Sequence, residues 1–541
     1  MKPLLGRIAA FGMAALVALL NAASSVSAQV TTTSDNGPGS LRYVAANAAP
    51  GATIVFQSSL SGQTIVLTSG KIILTNSVTI DGSALMKSIE INGKNNDRVF
   101  TVSNSATVVL NSLIITNGNA TGTNYLGNNP SAVAGDGDGG GIYNNGTLTL
   151  ESCILTSNRV AGGNAATGGY AGKSQGGGIY NNGTLTLNSC ILAGNVAEGA
   201  LAVNLGDCYG GGICNNGTLT MNSCILTNNG INESPTDYGY GGAIYDNGTL
   251  TLTNCTLVNN TAQATEDIAY GGAIYINAGT ATVNNSTVAN NTTESEPGAF
   301  GGGIGNAGIL ILNNCTVANN FTFNGGGGIY DSGTIMLNNC TVVSNTASVR
   351  AYATDGGGID NSGTLSMTNS IVCGNSATNS PNIAGSYTGA NNLVDANALL
   401  AVLGNYGGPT LTMLPLAGSP AIDAGLDSVT KLYTTDQRGY PRLSGLHVDI
   451  GAVEVQVAKL PFVLADPGGV VRWINGKVQI NFTNVDGGSF TVFAATNVAS
   501  PFSTWSNLGT AVETPPGSGN FEFTDSQSAN DVRRFYRVGS P

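Results

Sequence analysis

GGIYNNGTLTLESCILTSN at residues 140–158 and GGIYNNGTLTLNSCILAGN at residues 177–195 differ at three positions. Six further copies begin near Gly211, Gly241, Gly271, Gly302, Gly327 and Gly357. The isoleucine after the glycines recurs at Ile142, Ile179, Ile213, Ile244, Ile274, Ile304, Ile329 and Ile359, at intervals of 37, 34, 31, 30, 30, 25 and 30 residues. A unit this short cannot bury its own apolar face, so successive units must stack. Within the second copy, Leu185 and Leu187 alternate with threonines, the period-2 pattern of a strand with one face inward. Cys190 and Leu192 alternate again after two residues that reset the phase. Asn182-Gly183 supplies a turn whose glycine accepts positive φ. Each unit therefore reads as three short strands separated by bends, with no helical periodicity.

Two solenoids compete for this pattern. Leu187-x-x-Cys190-x-Leu192-x-x-Asn195 superficially matches a leucine-rich repeat, but that fold needs a helical return segment. Here the return is rich in Gly, Ala and Asn and has no apolar face. A parallel β-helix needs only strands and turns, and it sets like residues above one another. Cys153, Cys190, Cys224, Cys255, Cys315 and Cys340 share one column, completed by Ser286 and Ser370. Asn158, Asn195, Asn229, Asn260, Asn291, Asn320, Asn345 and Asn375 share another. A Cys/Ser column suits small core side chains, and stacked Asn amides can hydrogen-bond along the stack. The expectation is an all-β chain: a right-handed parallel β-helix over 29–395, a cap segment at 396–455 and a small β-sandwich-like module at 456–541. Alternating pairs from Ile65/Leu67 to Leu113/Ile115 add about four irregular coils, for a solenoid roughly 55–60 Å long. After Val455, six short strands between Val470 and Val538 suggest the sandwich.

The N-terminus carries an address. Lys2 and Arg7 precede an apolar run from Ile8 to Leu20, and Val26-Ser27-Ala28 is a small-x-small cleavage site. Residues 1–28 read as a secretory signal peptide, and the run is shorter than the about 20 residues of a membrane span. The mature chain is expected to be extracellular or on the outer cell surface, without a transmembrane segment. Charged residues are only 9 %, there are 77 glycines, and losing Lys2 and Arg7 takes the formal charge from −12 to −14. Such an acidic chain is a poor partner for nucleic acid or anionic membranes. Nine cysteines in 541 residues do not make a disulfide scaffold. Cys208 and Cys214, six apart and off the main column, are the one candidate pair for a disulfide.

Further motifs carry a family resemblance. TTSDNGPGSLRYVAANAAPGATIVF at 32–56 resembles the opening of large bacterial secreted β-helix proteins. GGAI at 241–244 and 271–274 resembles the signature of polymorphic outer-membrane proteins. GSPAIDAG at 418–425, TDQRGYPR at 435–442 and VDIGAVE at 448–454 resemble the choice-of-anchor Q domain, and RRFYRVGSP at 533–541 resembles C-terminal modules of bacterial secreted proteins. Over residues 30–455 the resemblance implies a right-handed β-helix on a secreted or surface-displayed bacterial protein without an established enzymatic role. The chain departs from autotransporter members in showing no run of amphipathic strands for a C-terminal barrel.

Function is expected where the units vary. The length differences fall between the Asn column and the next Gly-Gly, so the inserted loops should emerge on one side. Tyr209, Tyr240, Tyr270 and Phe300 each precede a Gly-Gly pair and should form an aromatic ladder. Glu233, Asp237, Glu266, Asp267, Glu294 and Glu296 lie close by in sequence. Aromatic rings flanked by carboxylates suit sugars, through stacking and hydrogen bonds to hydroxyls. The plainer reading makes the rings a shield for glycine-rich backbone and the acids a solvated loop surface. The expected protein is non-catalytic and adhesin-like, with an extracellular polysaccharide or cell-surface component as partner. The rival is a polysaccharide lyase or glycoside hydrolase using loop carboxylates. Lyase chemistry wants Ca²⁺-binding acids and a strong base, yet the repeats hold only Arg159, Lys173 and Arg350, scattered, and the single histidine, His447, lies outside them.

Other signals are weaker. GGYAGKS at 168–174 spaces its glycines one residue too closely for a phosphate-binding loop. Asp136-Gly137-Asp138 offers two carboxylates to Ca²⁺ but lacks further spaced acids, so no metal site or cofactor is expected. Asn-Gly-Thr at Asn145, Asn182, Asn216 and Asn247 matches glycosylation acceptors and reads more simply as turns. Asp423, Asp436, Arg438, Arg442, Asp449 and Glu454 form the densest charge cluster; Arg438 paired with a buried Asp should lock the cap segment onto the last coil.

Overall fold

The structure, a computed structural model, describes residues 28–127, 129, 131–166, 168–200, 202, 204–232, 238–348, 356–456, 470–474, 477–484, 488–498, 500–528 and 534–539. Residues 1–27 of the signal-peptide segment, Glu233, Asp237 and Arg350 lie outside them. The chain divides into two compact units, Met1–Val455 and Gln456–Pro541.

The first unit is a parallel β-helix. One coil shows why. Ile179–Asn181, Thr184–Asn188 and Ile191–Ala193 are its three wall strands, and they join sheets of eleven, thirteen and twelve strands among the described residues. Ser189 and Gly194 stand at the bends with φ of 53° and 63°. Serine and asparagine repeat the first bend in every regular coil, from Ser152 to Asn369. Each left-handed residue breaks the strand and resets which side chains point inward. Leu185 pairs in register with Leu148 and Leu219, and Ile179 with Ile142 and Ile213. One continuous core therefore runs from Val30 to Val372. A helix at Leu41–Asn47, capped by the Ser40 side chain on the Tyr43 amide, turns Leu41, Val44 and Ala45 into the core's first layers. The sequence reading held no helix; seven residues are too few to display a 3.6-residue period.

Polar columns are built into the wall. Asn260 Nδ2 donates to Asn291 Oδ1 (3.0 Å) and to the Leu226 carbonyl (3.0 Å), and its Oδ1 accepts from the backbone and side chain of Asn229 (3.0 and 3.1 Å). The same bonds link Asn158 through Asn375, and Asn382 closes the last rung. The Cys column is a hydrogen-bonding column too: Cys153 and Cys340 donate to carbonyls of Leu110 and Leu312, and Ser370 donates likewise to Leu337. Burial pushes the Cys153 thiol up to about 11.

The inserted loops are not simple loops. Three strands per coil become five in the middle coils, because the insert leaves the wall as Val196–Glu198 and returns as Cys208–Tyr209. These segments stack into sheets of eight and six strands among the described residues. The two sheets pack face to face as a thin fin around Ala120, Val160, Ala197, Cys208 and Ile231. The approach is so close that a Cβ on Gly137 would collide with the Ala161 carbonyl, and one on Gly239 with that of Gln263.

Residues 396–455, the expected cap segment, dock on the flank of the solenoid. They lie along the outside of the twelve-strand sheet, where Ala398, Met413, Ala421 and Ile450 pack on Ala318, Val343, Ile371 and Cys373. Gln437 is the bolt. Its amide nitrogen donates to Thr287 Oγ1 (3.1 Å), Thr410 Oγ1 (3.0 Å) and the Leu411 carbonyl (3.0 Å), and its oxygen accepts from Thr316 (2.6 Å) and Thr412 (3.0 Å). Arg438 does pair with a buried acid, Asp436 (2.7 Å), but both belong to the segment itself. The pair braces the segment internally and does not fasten it to the coil. Glu454 is pushed up to about 7 by burial, despite accepting from the Ser444 and Asp449 amides.

The second unit is two antiparallel sheets. Val470–Ile474, Lys477–Thr483, Asn520–Asp525 and Val512–Glu513 form one; Ser506–Thr510, Thr491–Ala495 and Phe535–Gly539 form the other. Val478, Ile480, Phe482, Phe490, Val492 and Phe521 fill its core.

Candidate functional site

Tyr209, Tyr240, Tyr270 and Phe300 occupy one register column of the six-strand fin sheet. Their inward neighbours Cys208, Gly239, Ala269 and Ala299 face the other fin sheet, so alternation turns the four rings outward. Successive centroids stand 5.3, 5.7 and 5.7 Å apart, with interplanar angles of 11°, 3° and 22°. The expected ladder is there.

A second column faces it, and the sequence reading missed it. Tyr143, Tyr180, Tyr245, Tyr275 and Tyr330 follow the repeat isoleucine on the eleven-strand sheet, with Cys214 and Gly305 at the intervening rungs. The isoleucines point inward, so the next residue must point out; GGIY carried that signal by parity alone. Tyr209 meets Tyr245 edge-on at 4.7 Å, Tyr240 meets Tyr275 at 5.0 Å, and Phe300 meets Tyr330 at 4.9 Å. Outward side chains of two sheets touch only across a re-entrant angle. The Gly-Gly bend between fin and wall, with Gly210 at φ 62° and Gly241 at φ 71°, makes that angle. The result is a concave aromatic corner running along the solenoid axis. Tyr245 and Tyr275 form its floor, 9 % and 8 % exposed.

The hydroxyls sort into two groups. Tyr209 donates to Asp207 Oδ2 (2.6 Å), and Tyr180 accepts from Asn216 Nδ2 (3.1 Å). Tyr240, Tyr245, Tyr270 and Tyr275 have no hydrogen-bond partner for their phenols among the described residues, and none of these oxygens is sealed from solvent. Burial pushes the Tyr180 and Tyr270 phenols up to about 12, and those of Tyr209, Tyr240 and Tyr245 up further. All therefore keep their protons at neutral pH and can donate.

The acids do not join the rings as expected. Glu294 lies on the eight-strand sheet with its partner Gln263 (2.8 Å), on the opposite face of the fin. With Glu296, Thr265 and Phe323 it lines an open depression of about 470 Å³ there. Glu266 is exposed on the turn at the fin's edge. Asp267, on that turn, lies near enough for its charge to act on Tyr270. A carboxylate that does enter the corner is Asp207, two residues before Tyr209 and just ahead of its strand. Asp138 and Gln175 continue the ring column at its other end, Gln175 donating to Asp138 (3.0 Å). Arg98 sits 4.9 Å over Tyr143 and Lys173 5.4 Å over Tyr209.

The candidate disulfide pair is not joined: Cys208 and Cys214 are both free and buried. Cys208 points into the fin between its two sheets, whereas Cys214 packs outside the wall among Tyr180, Tyr209 and Tyr245. The Gly210–Gly212 bend turns their side chains to different faces. Ser174, from the near-miss phosphate motif, is a fin core residue that accepts from the Gly162 amide (2.8 Å). The Asn-Gly turns stack through their side chains, Asn216 on Asn182 at 3.3 Å. No group of three or more His, Cys, Asp or Glu side chains arranged to hold a metal ion occurs among the described residues. No helix among them is long and apolar enough to cross a membrane.

The fold and this corner define the class: a parallel β-helix protein with a lateral aromatic surface. No protein-family model and no curated protein matches the chain.

Proposed function

We propose that this is a secreted or surface-displayed, non-catalytic, adhesin-like protein that binds carbohydrate in the aromatic corner. The observation that carries the reading is the block of four adjacent phenols, Tyr240, Tyr245, Tyr270 and Tyr275, without hydrogen-bond partners among the described residues, in a concave aromatic setting. A surface of rings with hydroxyls free to bond matches a ligand that is itself a ring bearing hydroxyls. Asp207 and Asp267 add acceptors at its margin. The choice-of-anchor-like motifs and the leader sequence support display outside the cell.

A glycan array probed with wild type and with Tyr240→Ala/Tyr270→Ala tests the reading, alongside an assay for released reducing ends or unsaturated sugars. Retention of specific glycans by wild type, loss in the variant and no released product are expected. Product formation abolished by one Asp or Glu substitution would replace this reading with the enzymatic one.

A further inference from the structure

The corner has a direction and a charge, and both restrict what it can hold. Four successive coils each contribute one ring to the fin column, and the wall column carries tyrosine at every rung but those of Cys214 and Gly305, so the corner advances one rung per coil along the solenoid axis. From Tyr209 to Phe300 the rings step by 5.3, 5.7 and 5.7 Å, and the facing column steps from Tyr245 to Tyr275 by 6.1 Å. The column rings stack face to face on one another, so what they offer outward is a row of edges and hydroxyls, not a single open ring face. A compact ligand seated on one ring would meet one or two phenols. A chain laid along the axis meets one rung after another.

Charge is distributed unevenly along the track. Lys173 and Arg98 both sit at the early coils, over Tyr209 and Tyr143. Asp136 and Asp138 lie beside them; Asp136 accepts from the Lys173 amide at 2.8 Å and Asp138 from Gln175. From Tyr240 onward the carboxylates near the rings include Asp207, which accepts from the Tyr209 hydroxyl at 2.6 Å, with Asp246, Asp267, Asp331 and Asp360. A polyanion on that stretch would meet like charge, in a chain of formal charge −12.

We propose that the corner is a linear track for an uncharged polysaccharide chain lying along the solenoid axis and contacting successive coils. This rests on the carbohydrate reading and adds to it the ligand's charge, direction and minimum length. Aspartates and phenols then have one use in common: they exchange hydrogen bonds with sugar hydroxyls, at each rung in turn.

The test is calorimetric titration of the full-length protein. The probes are uncharged oligomers of one to six units of β-1,4-linked glucose, mannose and N-acetylglucosamine, beside oligogalacturonates of the same lengths. At least one uncharged series should gain affinity with each unit up to about four or five units, then level off. The pentamer should bind at least tenfold more tightly than the dimer. The oligogalacturonates should bind more weakly at every length, most so at low salt, where repulsion is unscreened, and Asp207→Asn should narrow that gap. Tyr240→Phe/Tyr270→Phe keeps the rings and removes two hydroxyls that have no partner among the described residues; it should weaken pentamer binding roughly tenfold and leave the melting temperature unchanged. A single sugar binding as tightly as the pentamer overturns the track. Preferential binding of oligogalacturonates, still dependent on Tyr240 and Tyr270, overturns the charge argument and leaves the carbohydrate reading intact. Failure of every probe, charged or not, removes both.

Discussion

Replacing Asn260 with alanine takes one rung from the buried amide column. Four side-chain hydrogen bonds disappear, and the loss is asymmetric. The Leu226 carbonyl and Asn291 Oδ1 each lose one donor, a mild change for an acceptor with two lone pairs. The Asn229 backbone amide and one proton of its side-chain amide lose their acceptor altogether, at a buried position. Stranding a buried donor costs about 1–3 kcal/mol, so Asn260→Ala should destabilise by about 4 kcal/mol. Asn222→Ala is the matched control. Its amide donates to Asn188 (2.9 Å) on the half-exposed outer side of the thirteen-strand sheet, where water replaces the lost bond. It should cost about 0.5–1 kcal/mol. Urea unfolding followed by far-ultraviolet circular dichroism measures both, and hydrogen exchange at the Asn229 amide localises the effect. Equal costs for the two variants, or an Asn229 amide as protected in Asn260→Ala as in wild type, would refute the claim that the column stabilises the solenoid through saturated buried bonds.

Three further outcomes follow from the same structure. Cys255→Ser should lie within about 1 kcal/mol of wild type in urea unfolding, because Ser286 and Ser370 already fill that column, whereas Cys255→Val removes the donor to the Met221 carbonyl and should cost more. Asp246 replaces asparagine in a second buried column, accepting from Asn215 (2.6 Å) with Oδ2 unpartnered above Ile276, and burial pushes it up to about 6. An acid whose folded value is raised holds its proton longer in the native state, so stability falls as pH rises between about 4 and 6 and stays low above. Asp246→Asn should therefore stabilise at pH 7–8 and change little at pH 4, read as melting temperature against pH. Gln437→Ala strips the bolt of its bonds to Thr287, Thr316, Thr410 and Thr412; residues 396–455 should become sensitive to limited proteolysis while the coils stay resistant.

The solenoid was legible because its signals are periodic and redundant. Leu185, Leu187, Cys190 and Leu192 recur in register coil after coil, and each copy repeats the same statement about which side faces inward. The first aromatic column was legible for the same reason, since a residue before every Gly-Gly must stack. The second needed only parity: Ile179 points in, so Tyr180 points out. The placement of Glu294 was a different problem. It lies six residues before Phe300, yet the fin turns back between them and sends them to opposite faces. Fin strands of two or three residues are too short to show a period, so nothing in the sequence marks that reversal. Asp207 was within reach, two positions from Tyr209 with no turn between them. The flank-docked segment also left a trace: the outward column of the twelve-strand sheet changes from Ile154, Ile191 and Ile225 to Thr287, Thr316 and Thr341. Ile225 is 42 % exposed and Thr287 fully buried, the reverse of hydropathy, because Gln437 and its neighbours dock there through hydrogen bonds.

The central claim is that the repeat columns build the wall while the unpartnered phenols of the corner do the binding. Wild type and Tyr240→Phe/Tyr270→Phe on one glycan array, matched for melting temperature, separate the two roles directly. Loss of the glycans that wild type retains, with no change in melting temperature, is the predicted result. An identical binding pattern from both proteins would contradict it.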